Sequence, residues 1–144
     1  REKDAPHRTR FILVPWLSTL VGGIMANLFF PSAVIAGYLV AGVGDAIGEP
    51  AGIRFGRHTY KVWSLSSVPA VRSWEGSFAV FLASALVVFV AALVTPAIGT
   101  GSSGFLKILA IAAVSALVEA VSPHGWDNLT MQIVPVWLVS LWMT

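Results

Sequence analysis

The 144-residue sequence contains no cysteine and few charged residues. Without cysteine, neither a disulfide bond nor a thiolate metal site can form. Charged residues make up only 11% of the chain, whereas hydrophobic residues make up 56% and the mean hydropathy is +0.80. A soluble domain carries roughly 25% charged residues, so this chain lacks the charge to cover a water-facing surface. The composition predicts a single integral membrane domain over residues 1–144.

Two further features are missing from the sequence. No small-residue cleavage site follows the first apolar run, which argues against a cleavable signal peptide, and no internal repeat is visible. The first residue is Arg rather than Met, so we expect N-terminal residues of a longer protein to be absent.

Long apolar runs are what the sequence does contain. A membrane-spanning helix needs about 20 consecutive apolar residues. Five runs approach or reach that length, and Pro31 separates the first two. They cover residues 11–30, 32–53, 77–98, 105–121 and 129–144. We therefore predict an all-α, polytopic membrane bundle of about five transmembrane helices, with a flexible Gly/Ser linker at residues 99–104.

The positive charges indicate the orientation of this bundle. Of nine Lys and Arg residues, four lie within residues 1–10 and four within the loop 54–76. Because positive loops stay in the cytoplasm, we expect both places, and the loop 122–128, to face the cytoplasm. The linker 99–104 would then face outward. Only Lys107 departs from this pattern.

The acidic residues are the most informative part of the sequence. Five of the seven Asp and Glu residues lie outside the N-terminal tail, in or beside the predicted cytoplasmic helix ends: Asp45, Glu49, Glu75, Glu119 and Asp127. A charged side chain at membrane depth is costly, and such residues are usually paired and functional. Their convergence at one face of the membrane predicts an active site there.

The second apolar run offers ligands for a metal. Asp45 and Glu49 are four residues apart and share one helix face. Pro50 disfavours helical geometry at Glu49 and removes one backbone amide, so we expect the helix to kink or unwind there and expose carbonyl oxygens. Such oxygen ligands suit Mg²⁺ when substrate phosphates complete the shell. The structural alternative is a buried ion network with Arg54 or Arg57.

The following loop is basic and bracketed by glycines. Its backbone at Gly52 and its side chains Arg57 and Lys61 are candidates to hold a polyphosphate. Contact with lipid headgroups explains the same composition equally well.

The third helix is expected to begin near Arg72. Arg72 and the backbone amides of Gly76 and Ser77 are candidate phosphate ligands, because a helix N-terminus favours an anion. Glu75 has the simpler explanation of a carboxylate that stabilises the helix dipole.

The last polar segment contains Glu119, Asp127 and Asn128. Asp127 or Asn128 could serve only to cap the fifth helix. Glu119 lies inside the fourth helix, where no such structural role is evident.

Taken together, these segments resemble the polyprenol, dolichol and phytol kinase family, which includes CTP-dependent diacylglycerol kinases. The resemblance extends from about Gly42 to Val134. It is carried by Gly44-Asp45-Ala46 through Gly52, Phe55-Gly56-Arg57, Arg72-Ser73-Trp74-Glu75-Gly76-Ser77, Glu119 and Asp127-Asn128-Leu129. Members of that family usually have more membrane helices than the five predicted here.

The resemblance implies Mg²⁺-dependent transfer of a phosphoryl group from CTP, or another nucleoside triphosphate, to a lipid hydroxyl. The acceptor would be an isoprenoid alcohol or diacylglycerol. Asp45, Glu49 and Asp127 would bind Mg²⁺, while Arg57, Lys61 and Arg72 would hold the triphosphate. Glu119 would be the general base, a role that Asp127 could exchange with it. No nucleic-acid partner is expected, and broad lipid-facing surfaces make a homodimer plausible.

Two other functions are compatible with parts of the sequence. Trp74-Glu75-Gly76 also resembles the CDP-diacylglycerol synthases, which would make the chain a phosphatidate cytidylyltransferase, although the Lys-Asp and Asp-Arg pairs of their signature are absent after Glu119. An ion-coupled transporter would also use intramembrane acids. It predicts polar residues deep in several helices, whereas the first and third helices hold little beyond Asn27 and small hydroxyls.

Overall fold

The computed structural model describes residues 8–63, 70–99, 101, 103–123 and 125–144, and these residues are mostly helical. The helices are α1 (Arg8–Phe29), α2 (Val34–Leu39), a π-helical segment (Val40–Asp45), α3 (Ala46–Phe55), α4 (Trp74–Val94), α5 (Gly104–Val121) and α6 (Asp127–Met143). Because α2, the π-helical segment and α3 are continuous, the described residues form five helical rods. These rods coincide with the five predicted apolar runs, and the predicted helical class is confirmed.

Three of the described helices are long and apolar enough to cross a membrane: Phe11–Phe29, Trp74–Val94 and Gly104–Val121. Their outer surfaces carry large apolar side chains, such as Leu28 (71% exposed) and Leu86 (62% exposed). A soluble protein rarely leaves such extended apolar surfaces open to water, so this is a membrane protein. Five membrane crossings stay a prediction, since the second rod is irregular and α6 has 17 residues.

The irregularity in the second rod does not lie where the sequence indicated. The expected unwinding at Glu49 and Pro50 is wrong, because α3 runs without a break from Ala46 to Phe55 with Pro50 inside it. The wide π-helical turn occurs one turn earlier and ends at Asp45. Such turns are rare and are frequent at functional sites. The irregular turn therefore lies at Asp45 and not beside Glu49.

A small antiparallel hairpin occupies part of the loop 54–76. Strands β1 (Thr59–Val62) and β2 (Ala70–Ser73) pair with Tyr60 opposite Arg72 and Lys61 opposite Val71. The β-branched and aromatic residues of these segments favour a strand, but segments this short give a weak sequence signal. The ladder continues to the start of α4, where Trp74 N–H donates to the His58 carbonyl over 3.0 Å.

Glycines let α3 approach the start of α4 closely. A Cβ atom on Gly48 would lie 2.8 Å from Val80 Cγ2, and one on Gly76 would lie 2.8 Å from the Gly48 carbonyl oxygen. A Cβ on Gly52 would lie 2.9 Å from Ser73 Oγ. Small residues spaced four apart are a common means of packing membrane helices. This packing holds the face of α3 that carries Gly48 and Gly52 against the start of α4.

Lys107, the one basic residue that departed from the predicted cytoplasmic placement of positive charge, lies at the opposite end of the bundle. Its Nζ donates to the Trp142 carbonyl over 2.7 Å, and Gly99 N–H donates to the Met143 carbonyl over 2.7 Å. Both contacts satisfy carbonyls at the carboxyl end of α6, where a cation is also favoured by the helix dipole. Lys107 therefore has a structural role there. Thr100 and Ser102 of the predicted linker lie outside the described residues.

Candidate active site

Arg72 links the segment before α4 to the last polar segment, which contains Glu119 and Asp127. It lies at the end of β2, and its guanidinium pairs through Nη1 with Glu119 at the end of α5. Its Nη2 donates to Asp127 Oδ2 at the start of α6 over 3.1 Å and to the Ser122 carbonyl over 3.2 Å. The side chains are largely buried, with exposed fractions of 16% for Arg72, 8% for Glu119 and 10% for Asp127. Residues far apart in the chain thus form one charged site at one end of the bundle.

Asp127 is held in a fixed orientation. Its Oδ1 accepts hydrogen bonds from the backbone amides of Gly125 and Asn128, each over 3.0 Å. Gly125 adopts a φ of 88°, a conformation that side-chain-bearing residues rarely adopt. The capping role considered for Asp127 is wrong, because α6 begins at Asp127 and its N-cap residue, Trp126, makes no side-chain capping bond. The two amides instead orient the carboxylate so that Oδ2 faces Arg72.

Glu119 lies over Gly48 of α3. A Cβ atom on Gly48 would be 3.5 Å from Glu119 Oε1, which places the carboxylate against this part of α3. Glu119 Oε1 pairs with Arg72, whereas the buried Oε2 has no hydrogen-bond partner among the described residues. A buried acceptor without a partner is costly. Among the described atoms of the charged site, this oxygen is therefore available to a ligand or a substrate proton.

Asp45 belongs to the same site and Glu49 lies at its edge. Asp45 is partly buried at the end of the π-helical segment, close enough to Asp127, Arg72 and Glu49 for their charges to act on it. Glu49 is exposed one turn further along α3. We call Asp45, Arg72, Glu119 and Asp127 the charged cluster. It contains three carboxyl groups and one guanidinium, so negative charge is in excess.

The donor atoms of the charged cluster fit a hard cation. Within the described part of the chain, no three His, Asp or Glu side chains form a ready-made metal cage. Mg²⁺ in phosphate-transferring sites does not require one, since it is commonly held by one or two carboxylates with waters and substrate phosphates. The excess of carboxylates and the unpartnered Glu119 Oε2 are compatible with such an ion.

The basic residues predicted to hold a triphosphate do not all share one surface. Arg57 is exposed in the turn after α3, beside the hairpin. Alternate residues of a strand point to opposite faces, so Lys61 and its neighbour Val71 lie on the face of the hairpin away from Tyr60 and Arg72. The structure therefore does not bring Lys61 together with Arg72.

The start of α4 is occupied by internal contacts. Ser73 Oγ accepts the Gly76 N–H over 3.1 Å and caps the helix. The Ser77 hydroxyl is 2.6 Å from the Tyr60 hydroxyl. Glu75 accepts from His58, whose Nδ1 lies 2.8 Å from Oε1, so Glu75 anchors the preceding loop. The phosphate roles of Gly52, Gly76 and Ser77 stay predictions.

Two polar residues of α6 make contacts with α1 that were not predicted from the sequence. Asn128 Nδ2 donates to the Pro15 carbonyl of α1 over 3.3 Å. Gln132, one turn further along α6, is buried and donates from Nε2 to the Thr19 carbonyl over 3.2 Å. An amide inside an apolar run was a usable signal for Gln132. These contacts attach α1 to the site.

Comparison with known proteins shows that the chain is similar to a kinase. It is 34% identical over 119 residues to a phytol kinase of Synechocystis sp., and the matched region covers 81% of this chain and 47% of the relative. The chain thus spans about half the length of that relative. No protein-family model matches the sequence, and no solved structure is significantly similar to it.

The identity to the phytol kinase extends over most of the chain, and the motif segments that predicted the family meet in one charged site. Both findings agree with the resemblance inferred from the residues. Over most of its length, the chain is similar to a member of the polyprenol and phytol kinase family.

Proposed function

We propose that this chain forms the active site of a kinase that transfers a phosphoryl group to the hydroxyl of an isoprenoid alcohol. CTP is the favoured donor, and other nucleoside triphosphates are alternatives. The observation that carries the proposal is the junction made by Arg72, which joins Glu119 and Asp127 at one end of a membrane bundle. The similarity to a phytol kinase supports the acceptor class.

The reaction requires charge neutralisation and positioning more than covalent chemistry by the protein. The acceptor hydroxyl oxygen bonds to the γ-phosphorus, and the bond between that phosphorus and the β–γ bridging oxygen breaks. The nucleoside diphosphate leaves with the bridging oxygen. Glu119 takes the hydroxyl proton, and its unpartnered Oε2 is the available acceptor. General-base catalysis of this kind contributes typically about 10²–10⁴-fold.

Arg72 keeps the acidic groups in place. It contacts both Glu119 and Asp127, so the two carboxylates are held near each other without direct repulsion. Arg57 is then the better candidate for a dedicated phosphate contact, because it is exposed and its guanidinium suits bidentate binding.

Asp45, Glu49 and Asp127 are the proposed ligands of Mg²⁺. When bound, the ion would neutralise charge on the transferring phosphates. The support is the excess of carboxylates in the charged cluster and the position of Asp45 at the end of the irregular helical turn.

We place the active site on the cytoplasmic face because the loop that contains Arg57 and Arg72 is rich in positive charge. A cysteine introduced at Ser102, which lies in the linker between α4 and α5, should react with an impermeant thiol reagent added to intact cells. Because the chain has no native cysteine, the parent protein is the control. Labelling only after lysis would contradict this orientation. The homodimer stays a prediction.

The choice of reaction is tested with labelled donor and purified protein in lipid. With phytol as acceptor, γ-labelled CTP should give labelled lipid, and α-labelled CTP should not. Labelled lipid from α-labelled CTP and phosphatidate would instead identify a cytidylyltransferase. Competition by unlabelled ATP, UTP and GTP measures the donor preference, and chelation by EDTA with restoration by Mg²⁺ tests the ion. Glu119→Gln is the matched variant, and it should retain donor binding while losing turnover.

A further inference from the structure

A wide groove lies between α1, α2 and α6, beside the charged cluster. Its volume is about 710 Å³, within the range of roughly 300–1,000 Å³ found for small-molecule sites. None of the described residues that line it is charged. Its walls include Leu20, Ile24, Leu28, Tyr38, Gly42 and Gln132. A surface of this kind accepts an apolar chain and disfavours a nucleotide.

Hydrogen bonds between helices join the walls of the groove. Gln132 of α6 donates to the Thr19 carbonyl of α1 over 3.2 Å. Four residues further along α1, the Gly23 carbonyl accepts from the Tyr38 hydroxyl of α2 over 3.3 Å, and the same hydroxyl accepts from Asn27. The groove is therefore a cleft with joined walls. From Thr19 to Leu28 it follows nine residues of α1, or about 14 Å at 1.5 Å per residue.

Two residues that line the groove are close in the chain to residues of the charged cluster. Asn128 lines the groove, and it directly follows Asp127, whose carboxylate binds Arg72. Gly42 lines the groove from the π-helical segment, three residues before Asp45. An alcohol with its chain in the groove and its hydroxyl beside Asn128 would present that hydroxyl to the charged cluster.

We propose that this groove binds the hydrocarbon chain of the acceptor alcohol, an inference that rests on the proposed kinase function. The chain lies along α1 from Asn128 toward Leu28, which lines the far end. Entry is lateral from the bilayer, because the groove is open on its side. The apolar walls bind the chain, and the amides of Asn128 and Gln132 orient the polar end.

Gly42 allows a direct test, because a Cβ atom built there meets nothing within 4 Å among the described residues. Its φ is not positive, so Gly42→Phe should fold and place a ring in the groove. Leu86→Phe is the control, because Leu86 is exposed on α4 and does not line the groove. Gly42→Phe should raise the apparent KM for phytol about tenfold or more. The donor KM and kcat should stay within about twofold, and Leu86→Phe should change none of them.

A binding measurement separates this inference from the kinase proposal. An isoprenoid alcohol with a photoactivatable diazirine in its tail should crosslink to peptides of α1 or α2 in the wild-type protein, and excess phytol should compete. Crosslinking without phosphoryl transfer would support the groove and contradict the kinase. Transfer with no crosslink to α1 or α2, or an unchanged phytol KM in folded Gly42→Phe, would overturn the groove. If Gly42→Phe yields much less folded protein than Leu86→Phe, the groove proposal is also overturned, because another part of the protein would then fill the groove.

Discussion

Replacing Arg72 by alanine should destabilise the protein far more than removing an exposed arginine. The substitution leaves Glu119 and Asp127 facing each other with exposed fractions of only 8% and 10%. Removing one partner of a buried ion pair costs roughly 3–5 kcal/mol, chiefly because the remaining charge is uncompensated. Total unfolding free energies are about 5–15 kcal/mol, so this is a large fraction. Arg54→Ala, at an exposed position where the guanidinium lies 5.5 Å from the centroid of the Phe55 ring, should cost no more than about 1 kcal/mol.

The physical reason is tested by a double-mutant cycle. If the cost comes from uncompensated acid charge, Arg72→Ala should cost less in a Glu119→Gln background, with a coupling energy of about 0.5–3 kcal/mol. Arg72→Lys should recover only part of the loss, since an ammonium lacks the planar fork that reaches both acids. Unfolding free energy is measured in mixed micelles by tryptophan fluorescence during a denaturant titration. Equal costs of Arg72→Ala in both backgrounds would refute the charge argument.

Three further substitutions test separate parts of the structure. Ser73→Ala should lower the unfolding free energy by about 0.5–2 kcal/mol through loss of the α4 cap. The control is Ser103→Ala, because Ser103 precedes α5 but its side chain makes no capping bond with described residues. This control should have little effect in the same titration. If Arg57 contacts phosphate, Arg57→Ala should weaken donor binding by about 1.5–3 kcal/mol, which is measured as a raised donor KM. Lys61→Ala should raise the donor KM less. Equal effects of the two substitutions would contradict the different roles inferred for Arg57 and Lys61 from the hairpin register. Asp45→Asn should abolish turnover at saturating Mg²⁺. The variant should still elute as a folded species in gel filtration. Near wild-type activity would remove Asp45 from the proposed metal ligands.

The sequence by itself determined the class of the protein and the positions of its helical rods. Apolar runs of this length leave few alternatives, because a membrane helix must satisfy its backbone hydrogen bonds internally. Acids such as Glu119 and Asp127 could be identified for a related reason, since a carboxylate inside or beside an apolar run is rarely neutral for stability.

Only the tertiary structure decided which charges meet. The pairing of Arg72 with Glu119 and Asp127 joins residues 47 and 55 positions apart, and it depends on how β2, α5 and α6 pack. The hairpin register decided that Lys61 lies away from Arg72, and the π-helical turn decided the position of Asp45. These outcomes depend on close packing between elements, such as the contact of Gly48 with α4. A local sequence pattern indicates the periodicity of one helix or strand. It does not tell how far that element lies from another one in the folded protein.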